Sequence, residues 1–389
     1  WKGQVIAAGG ELKNTFCIGV DNRFYPSPYV GDLEDLRTVK ALKETIGRLE
    51  TLLEVQPEVV VCDLHPKYNS TVVAEELGLP VLRVQHHYAH ILSCLAENDC
   101  EEKVIGVSFD GTGYGTDGTI WGGELLVADW QGFTRLGSIE PFVQVGGDIS
   151  AKEGWRIAVS LIWQNMGNLE KTLDTVRKLG LCTDQEAKVL VTMAQRKINA
   201  VTSTSAGRLF DGVSAILGIR RASTFEGEAS TALEFAAEAW RKQREMQKKN
   251  PEENLKIRMS EKEDIPESTG ISEASEDERK FILNTGEIVA YLVRARLAGE
   301  NPRKLAYGFH RALADEILAA CEEAERQTGI RKVALSGGVF QNRLLLELVD
   351  DGLTEMGFEV LKHSLIPPND GGIALGQAVY GMAYVQRHR

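Results

Sequence analysis

Two stretches of the chain begin with a short apolar run that ends in a glycine-rich turn. Residues 5–19 and 104–128 each place β-forming side chains on both sides of such a turn, and this pattern predicts a β-hairpin at each position. Two similar starts in one chain indicate a duplicated fold, although a chance likeness between two hairpins is the alternative.

An amphipathic helix and a valine-rich strand follow later in each half. Helix 35–54 precedes the strand 59–63, and helix 312–328 precedes the apolar stretch 332–338. Apolar residues in these strands do not alternate with polar ones, which is typical of a sheet that is covered on both faces. The sequence therefore predicts an α/β fold with two lobes and a cleft between them.

The expected domain boundaries lie where these patterns change. The first lobe comprises residues 1–103 and the second lobe residues 104–368, and the C-terminal helix 369–389 packs back on the first lobe. Within the second lobe, residues 241–279 are rich in Lys, Glu, Ser and Pro and contain few apolar residues. This stretch is predicted to be an exposed insertion with little core of its own.

Composition narrows the class of protein. The length of 389 residues suggests roughly two to three packed units. The fractions of hydrophobic residues, 43%, and charged residues, 26%, are ordinary for a packed protein. The net charge of −12 argues against a general nucleic-acid binder, because an acidic surface repels phosphates. No apolar run approaches the ~20 residues of a membrane span. The six cysteines are scattered and form no C-x-x-C pair, which predicts a reducing, cytoplasmic location. A sequence that starts at Trp1 is expected to be a fragment.

A cluster of histidines follows the predicted strand 81–84. His86 and His90 are four residues apart on a predicted helix, so both imidazoles lie on one face and can reach one metal ion. His87 with His90 is a weaker alternative pair, and the histidines could instead cap the helix or fill polar gaps. Three of the seven histidines fall within five residues, which favours the metal.

Two aspartates are the candidate partners of these histidines. Asp110 ends a hydrophobic strand, and Asp370 lies in a loop that enters a helix, so both are at element ends where a cleft would form. Two imidazoles and two carboxylates with an open position suit Fe(II) or Zn(II) acting as a Lewis acid. Either aspartate could instead cap a turn or a helix.

Glycine-rich segments are the candidate anion sites. Residues 110–115 lack the spacing of a dinucleotide fingerprint, and the chain contains no phosphate-binding P-loop motif. We interpret 110–115 as a backbone-amide nest at a hairpin turn, while residues 336–343 follow a strand and open a helix where a nucleotide could bind. Alternatively, the glycines only permit tight turns.

A few polar residues could contact a nucleotide or its phosphates. Asp211, on a short predicted helix, could accept hydrogen bonds from ribose hydroxyls, or be a solvated helix residue. Lys13 and Lys152 could meet phosphate charge, or be ordinary surface lysines. No cysteine is placed like a nucleophile and no G-x-S-x-G motif occurs, so the attacking atom of a transferase is expected to belong to the acceptor.

Several of these motifs, taken in order over nearly the whole chain, carry a family resemblance. They resemble the C-terminal, TsaD/Kae-like module of the HypF family, the carbamoyltransferases of NiFe-hydrogenase maturation. The matching segments are residues 9–16, 31–33, 62–66, 84–90, 108–124, 205–211 and 334–343. The resemblance implies a two-lobed actin/Hsp70-like (RNase H-like) fold, shared with the tRNA threonylcarbamoyl transferases. It also implies acylphosphatase, zinc-finger and adenylate-forming domains that this chain lacks.

The resemblance also implies which residues form the site. The metal ligands are His86, His90, Asp110 and Asp370. The residues that bind ATP, AMP or carbamoyl-adenylate are Gly111, Thr112, Gly113, Gly207, Asp211, Gly227, Gly337, Gly338 and Asn342. Lys13 and Lys152 are the catalytic candidates. One departure is Gly154, where the family usually has proline, and it leaves the local loop shape and the role of Lys152 open.

The implied reaction moves a carbamoyl group from carbamoyl-adenylate to the C-terminal cysteine of a HypE-like protein, while the metal polarises the carbamoyl group. This product is the precursor of a cyanide ligand. Neither a nucleic acid nor a membrane is an expected partner. Two alternatives remain open at this point: a small-molecule O-carbamoyltransferase with a hydroxyl acceptor, and a non-enzymatic ATP-binding scaffold of the actin/Hsp70 class.

Overall fold

The computed structural model describes residues 1–248, 272–273 and 281–389. Most of the predicted insertion 241–279 lies outside these described residues. Within the described part, no helix combines the length and the apolar character that crossing a membrane requires.

The chain divides into two compact units. Unit 1 comprises Trp1–Leu136, Ala324–Gln341 and Met356–Arg389, and unit 2 comprises Gly137–Glu323 and Asn342–Glu355. The lobes expected from the sequence divide the chain differently, and they stay a prediction.

The strands and helices alternate along much of the chain. The strands are β1 (Gln4–Ala7), β2 (Cys17–Val20), β3 (Arg23–Pro26), β4 (Val59–Asp63), β5 (Val81–Val84), β6 (Val104–Tyr114), β7 (Ile120–Asp129), β8 (Gly132–Ile139), β9 (Phe142–Val145), β10 (Ala200–Ser203), β11 (Ser272–Glu273), β12 (Phe281–Leu283), β13 (Lys332–Ser336) and β14 (Glu359–Leu361). The helices are α1 (Leu36–Leu53), α2 (Asn69–Glu76), α3 (His86–Glu97), α4 (Ile149–Lys152), α5 (Gly154–Met166), α6 (Leu169–Leu179), α7 (Asp184–Arg196), α8 (Ala206–Ile216), α9 (Glu228–Lys248), α10 (Thr285–Leu297), α11 (Pro302–Thr328), α12 (Arg343–Glu355) and α13 (Ile373–His388).

One strand order occurs twice. The first sheet has the order β3-β2-β1-β4-β5, in which β1 is antiparallel to β2 and parallel to β4. The second sheet contains the order β8-β7-β6-β13-β14, in which β6 is antiparallel to β7 and parallel to β13. The hairpins predicted from the glycine-rich turns are therefore confirmed, and so is the duplicated α/β fold class.

Helices α3 and α13 form the centre of unit 1. They pack on each other, α13 also contacts β1 and β4, and α3 also contacts β6, β7 and β13. Glycines permit this close packing: a Cβ at Gly376 would lie 1.9 Å from the carbonyl oxygen of Ala89, and one at Gly106 would lie 2.7 Å from the side chain of Ile91. Helix α3 is consequently buried from His86 to Leu95, including its histidines.

Unit 2 is mainly helical. Helix α5 packs against α6, α7, α8 and β9, and α8 also contacts α9 and α10. A Cβ at Gly154 would lie 2.7 Å from the carbonyl oxygen of Asp211, so the start of α5 approaches α8 closely. Strand β9 pairs antiparallel with β10, and β12 pairs in parallel with residues 137–139.

Candidate active site

The N-terminus of α3 places two imidazoles side by side. The Gln85 side chain accepts a hydrogen bond from the backbone N–H of Tyr88 at 2.9 Å and thereby caps the helix. His86 and His90 follow one turn apart on the same face, with ring centroids 4.9 Å apart. Each of these two side chains is only 1% exposed. The sequence spacing therefore produces the helical arrangement that it predicts.

Two aspartates from distant segments face these imidazoles. Asp110 lies in β6, and Asp370 begins a short 3-10 turn before α13. The Nε2 atom of His86 is 3.3 Å from Asp110 Oδ2 and 3.5 Å from Asp370 Oδ1. The corresponding distances from Nε2 of His90 are 3.7 and 3.6 Å. The structure thus brings together all four expected ligands, whose ligand atoms lie within 4.8 Å of one another.

The backbone around Asp110 differs from the prediction. Asp110 does not end its strand, and residues 111–113 do not form a hairpin turn, because β6 continues to Tyr114. Phe109 pairs with Gly123 and Gly113 pairs with Trp121, so three residues of β6 oppose a single residue of β7. Such bulges re-aim side chains and are frequent beside active sites.

A further aspartate orients the first histidine. Asp63, the last residue of β4, is fully buried, and its Oδ2 atom lies 2.7 Å from Nδ1 of His86. Its Oδ1 atom accepts a hydrogen bond from the backbone N–H of His65 at 2.9 Å. A carboxylate at Nδ1 holds the proton there, and Nε2 of His86 is left free to face the two aspartates. Sequence reasoning missed Asp63, although a carboxylate that ends an apolar strand was a visible signal.

The glycine pair after β13 holds Asp110. The backbone N–H of Gly338 donates a hydrogen bond to Asp110 Oδ1 at 2.8 Å, so that Oδ2 faces the imidazoles. Gly337 has a positive φ of 101°, and a Cβ there would lie 2.2 Å from the carbonyl oxygen of Phe109. Only glycine fits this approach.

Buried charge dominates the electrostatics of the cluster. Burial alone would lower the pKa of His86, but the carboxylates of Asp63 and Asp370 outweigh it and raise that pKa well above its usual value. Burial would raise the pKa of Asp110, yet its contacts with the two imidazoles hold it well below the usual range. Burial would likewise raise the pKa of Asp370, but the nearby His86 lowers it to about 2. The carboxylates of Asp110 and Asp370 therefore stay ionised, which favours a positive charge between these side chains.

The four side chains fit a divalent metal ion. Two ligands about 2.1 Å from one ion at a tetrahedral angle are about 3.4 Å apart, and the imidazole–carboxylate distances here are 3.3 to 3.7 Å. Nε2 of His90 is buried and has no hydrogen-bond partner within the described chain. Buried polar atoms without partners are rare in proteins, and a metal ligand is one explanation of this one.

The expected nucleotide residues belong to both units. Gly111, Thr112, Gly113, Gly337 and Gly338 surround Asp110 in unit 1. Gly207, Asp211, Gly227 and Asn342 are in unit 2. Asp211 is buried, which raises its pKa, and it accepts a 2.8 Å hydrogen bond from Arg208. Asn342 caps α12 at Leu345 and contacts His310 at 2.8 Å, so its amide is already engaged. Nucleotide binding by these residues stays a prediction.

The two lysines are in different units. Lys13 has a positive φ of 49°, its backbone N–H donates to Asp32, and its carbonyl oxygen would be 3.7 Å from a Cβ at Gly371, next to Asp370. Lys152 ends α4 in unit 2, where its carbonyl oxygen accepts a 2.7 Å hydrogen bond from the backbone N–H of Ser223. Within unit 1, the backbone of Lys13 therefore lies beside the four-ligand cluster.

Two family models match the chain. Residues 2–97 match the HypF Kae1-like domain, and residues 106–377 match the second subdomain of the carbamoyltransferase Kae1-like domain. A probable carbamoyltransferase HypF from Methanocaldococcus jannaschii is 32% identical over 99% of this chain and 47% of its own length. A carbamoyltransferase HypF homolog from Cupriavidus necator is 34% identical over 96% of this chain and 90% of its own length.

A solved structure shares the fold. Full-length HypF in a phosphate- and nucleotide-bound form is similar with a TM-score of 0.83 and 34% identity, over 99% of this chain and 46% of that protein. The chain thus spans about half the length of most of the curated relatives that it matches.

Proposed function

We propose that this chain, which belongs to the HypF carbamoyltransferase family, transfers a carbamoyl group from carbamoyl-adenylate to the C-terminal cysteine of a HypE-like protein. The observation that carries the proposal is the meeting of His86, His90, Asp110 and Asp370, with ligand atoms within 4.8 Å of one another. These residues would hold an iron or zinc ion. Such an ion, when bound, acts as a Lewis acid that polarises a carbonyl oxygen.

The protein prepares this cluster before any substrate binds. Asp63 fixes the proton of His86 at Nδ1, and the amide of Gly338 fixes the orientation of Asp110. These hydrogen bonds involve charged groups and are worth about 1.5–3 kcal/mol each. Because the side chains are held in advance, little reorganisation is needed when the carbamoyl group is placed beside them.

The nucleophile is supplied by the acceptor. Burial raises the pKa of all six thiols of this chain, to about 12 for Cys17 and about 11 for the half-buried Cys182. These thiols stay protonated at neutral pH and are poor nucleophiles. In the proposed step, the thiolate sulfur of the acceptor bonds to the carbamoyl carbon, the bond from that carbon to the phosphate oxygen breaks, and AMP leaves.

The remaining groups bind the donor. The AMP part would rest against the predicted nucleotide residues, with Asp211 at the ribose, and the positive charge of Lys13 or Lys152 would offset its phosphate. A solved HypF binds phosphate and nucleotide, which supports a nucleotide site in this family. Carbamoyl-adenylate would be supplied by acylphosphatase, zinc-finger and adenylate-forming domains, and the reaction would take place in the cytoplasm.

A transfer assay tests the proposal. The chain is mixed with carbamoyl-adenylate and a peptide that ends in cysteine, and mass spectrometry follows the S-carbamoylated peptide while AMP release is quantified. Loss of Lewis-acid stabilisation worth several kcal/mol should slow the H86A/H90A double variant at least about a hundredfold. His388→Ala is the matched control, because His388 is exposed and its contacts in the described part of the chain are with Tyr384, through a hydrogen bond to the carbonyl oxygen and ring stacking.

Three outcomes would contradict the proposal. Undiminished transfer by the metal-free double variant would exclude the four-ligand cluster from the reaction. Carbamoylation of a polyol in place of the peptide would identify an O-carbamoyltransferase. Nucleotide binding without any transfer would identify a binding scaffold.

A further inference from the structure

A second group of buried, hydrogen-bonded side chains lies at the C-terminal end of α3. The Ser336 hydroxyl is 2.8 Å from Nε2 of His363, and Nδ1 of the same imidazole is 2.9 Å from Oε2 of Glu97. The side chains of His363 and Glu97 are only 4% and 6% exposed. Glu97 is the last residue of α3, and His363 follows β14.

The order serine, histidine, glutamate is that of a hydrolytic triad, but the surroundings argue against that role. Ser336 is fully buried, so no acyl group can reach its oxygen without rearrangement. The next two backbone N–H groups, which would have to stabilise an oxyanion, already donate to the Pro368 carbonyl oxygen and to Asp110. The chain of hydrogen bonds therefore holds segments together.

The Glu97 carboxylate accepts hydrogen bonds from several donors in the loop 363–366. Its Oε1 atom accepts hydrogen bonds from the backbone N–H of Ser364 at 2.8 Å, the Ser364 hydroxyl at 3.0 Å, and the backbone N–H groups of Leu365 and Ile366. With His363 on Oε2, five donors meet one carboxylate. A negative charge at a helix C-terminus is unfavourable by itself, by about 0.3–1 kcal/mol. Burial would raise the pKa of Glu97 further, yet the donors outweigh it and lower this pKa.

The same loop carries Asp370. After Ile366 the chain is pinned twice more, because the Pro368 carbonyl oxygen accepts from Gly337 at 3.0 Å and the Asn369 amide donates to Gln341 at 3.0 Å. Asp370 follows directly. Helix α3 thus supplies two of the four ligands, His86 and His90, near its N-terminus. Its last residue, Glu97, holds the loop that leads to a third ligand, Asp370.

We propose that Glu97 is a positioning residue that fixes Asp370 in the four-ligand cluster. The inference rests on the proposed function, in that the cluster is taken as a metal site. Without Glu97, the loop loses five hydrogen bonds on the N-terminal side of Asp370. Pro368 and Asn369 stay bonded to the β13 side, and the carbonyl oxygens that follow Asp370 still accept from the hydroxyls of Thr15 and Ser93. His86, His90 and Asp110 keep their own supports, so metal binding should weaken without being abolished.

A double-mutant cycle with Co(II) as the probe tests this role. Affinities of the full chain are measured by competition with a chelator for the wild type, E97A, D370A and E97A/D370A, and Co(II) absorption spectra report coordination. Loss of a partner bonded directly to a ligand weakens metal binding by roughly 10–100-fold. Glu97 supports Asp370 through the loop, so E97A should lose about tenfold, at the lower end of this range, with a spectrum shifted toward that of D370A. If Glu97 acts through Asp370, the double variant binds no more weakly than D370A.

Glu355→Ala is the matched control for the cycle. Glu355 also ends a helix, but it is exposed and has no hydrogen bond or ion pair in the described part of the chain. E355A should bind Co(II) like the wild type. Additive losses in the double variant, or wild-type affinity in E97A, would overturn the proposal, since a merely structural role would not depend on Asp370.

A conservative variant keeps the test decisive if E97A does not fold. Gln at position 97 retains an oxygen that can accept from the loop amides, so E97Q should bind Co(II) between the wild type and D370A and should also be non-additive with D370A. Wild-type chain that binds no Co(II) would contradict the proposed function itself. Wild-type binding that E97A and E97Q leave unchanged would contradict only the role of Glu97.

Discussion

Replacement of Asp63 by asparagine tests whether the carboxylate beneath His86 supports metal binding. Two N–H groups, from His86 and from the backbone of His65, converge on the Asp63 carboxylate at 2.7 and 2.9 Å. Asparagine has one oxygen and one NH₂ group, so one of these buried donors would face another donor. The charge-assisted hydrogen bond that is lost is worth about 1.5–3 kcal/mol.

This loss corresponds to a measurable change in affinity. At about 1.4 kcal/mol per factor of ten, D63N should bind Zn(II) roughly 10–100-fold more weakly, which is also the usual effect of losing an outer-shell partner of a metal-ligating histidine. A competition titration with a chromophoric chelator measures it. Asp99→Asn is the control, because Asp99 is exposed and follows α3 in the same unit.

The pH dependence gives an internal check. Asp63 contributes to the raised pKa of His86, so D63N lowers that pKa and protons compete less with the metal. The affinity deficit of D63N should therefore be largest at alkaline pH and shrink as the pH falls. Wild-type affinity in D63N, an equal loss in D99N, or a deficit that grows toward acid pH would refute the reasoning.

Two further predictions concern stability. Burial lowers the pKa of His310 to about 4, so the unfolded chain takes up this proton first and stability is lost as the pH falls from about 6.5 to about 4. The loss is about 3 kcal/mol, and urea unfolding at several pH values should show it in the wild type and not in H310Q. Gly376→Ala should destabilise unit 1 by about 1–3 kcal/mol or more, since its Cβ would lie 1.9 Å from the Ala89 carbonyl oxygen. Gly308→Ala, within α11 and with nothing within 4 Å, should instead be stabilising by about 0.5–1 kcal/mol, and thermal melts compare the two.

Local patterns were sufficient for most secondary structure. The helix predicted for 35–54 is α1, and the strand predicted for 59–63 is β4. Both were predictable because an amphipathic pattern or a continuous apolar run involves only residues that are close in sequence. The helix predicted for 312–328 begins ten residues earlier, at Pro302. Proline is favourable at the first helical position, where its missing N–H is not needed, and that signal extends the helix toward the N-terminus.

The parts of the candidate site that depend on sequence spacing could be predicted, whereas those that depend on tertiary contacts could not. Helical geometry alone puts His86 and His90 on one face. The bulge at Asp110 depends on pairing with β7, and the roles of Asp63 and Glu97 depend on segments more than twenty residues away in sequence. No local pattern contains such contacts. The sequence can mark Asp63 as a carboxylate at the end of an apolar strand, but its partner, like those of Glu97, is identified only in the folded chain.

The most direct test of the central claim is anomalous diffraction from crystals of the chain loaded with Fe(II) or Zn(II), recorded at the absorption edge of the metal. The account expects a single peak about 2.0–2.2 Å from ligand atoms of His86, His90, Asp110 and Asp370. A loaded crystal with no peak there, or with its peak at another group of side chains, would contradict it.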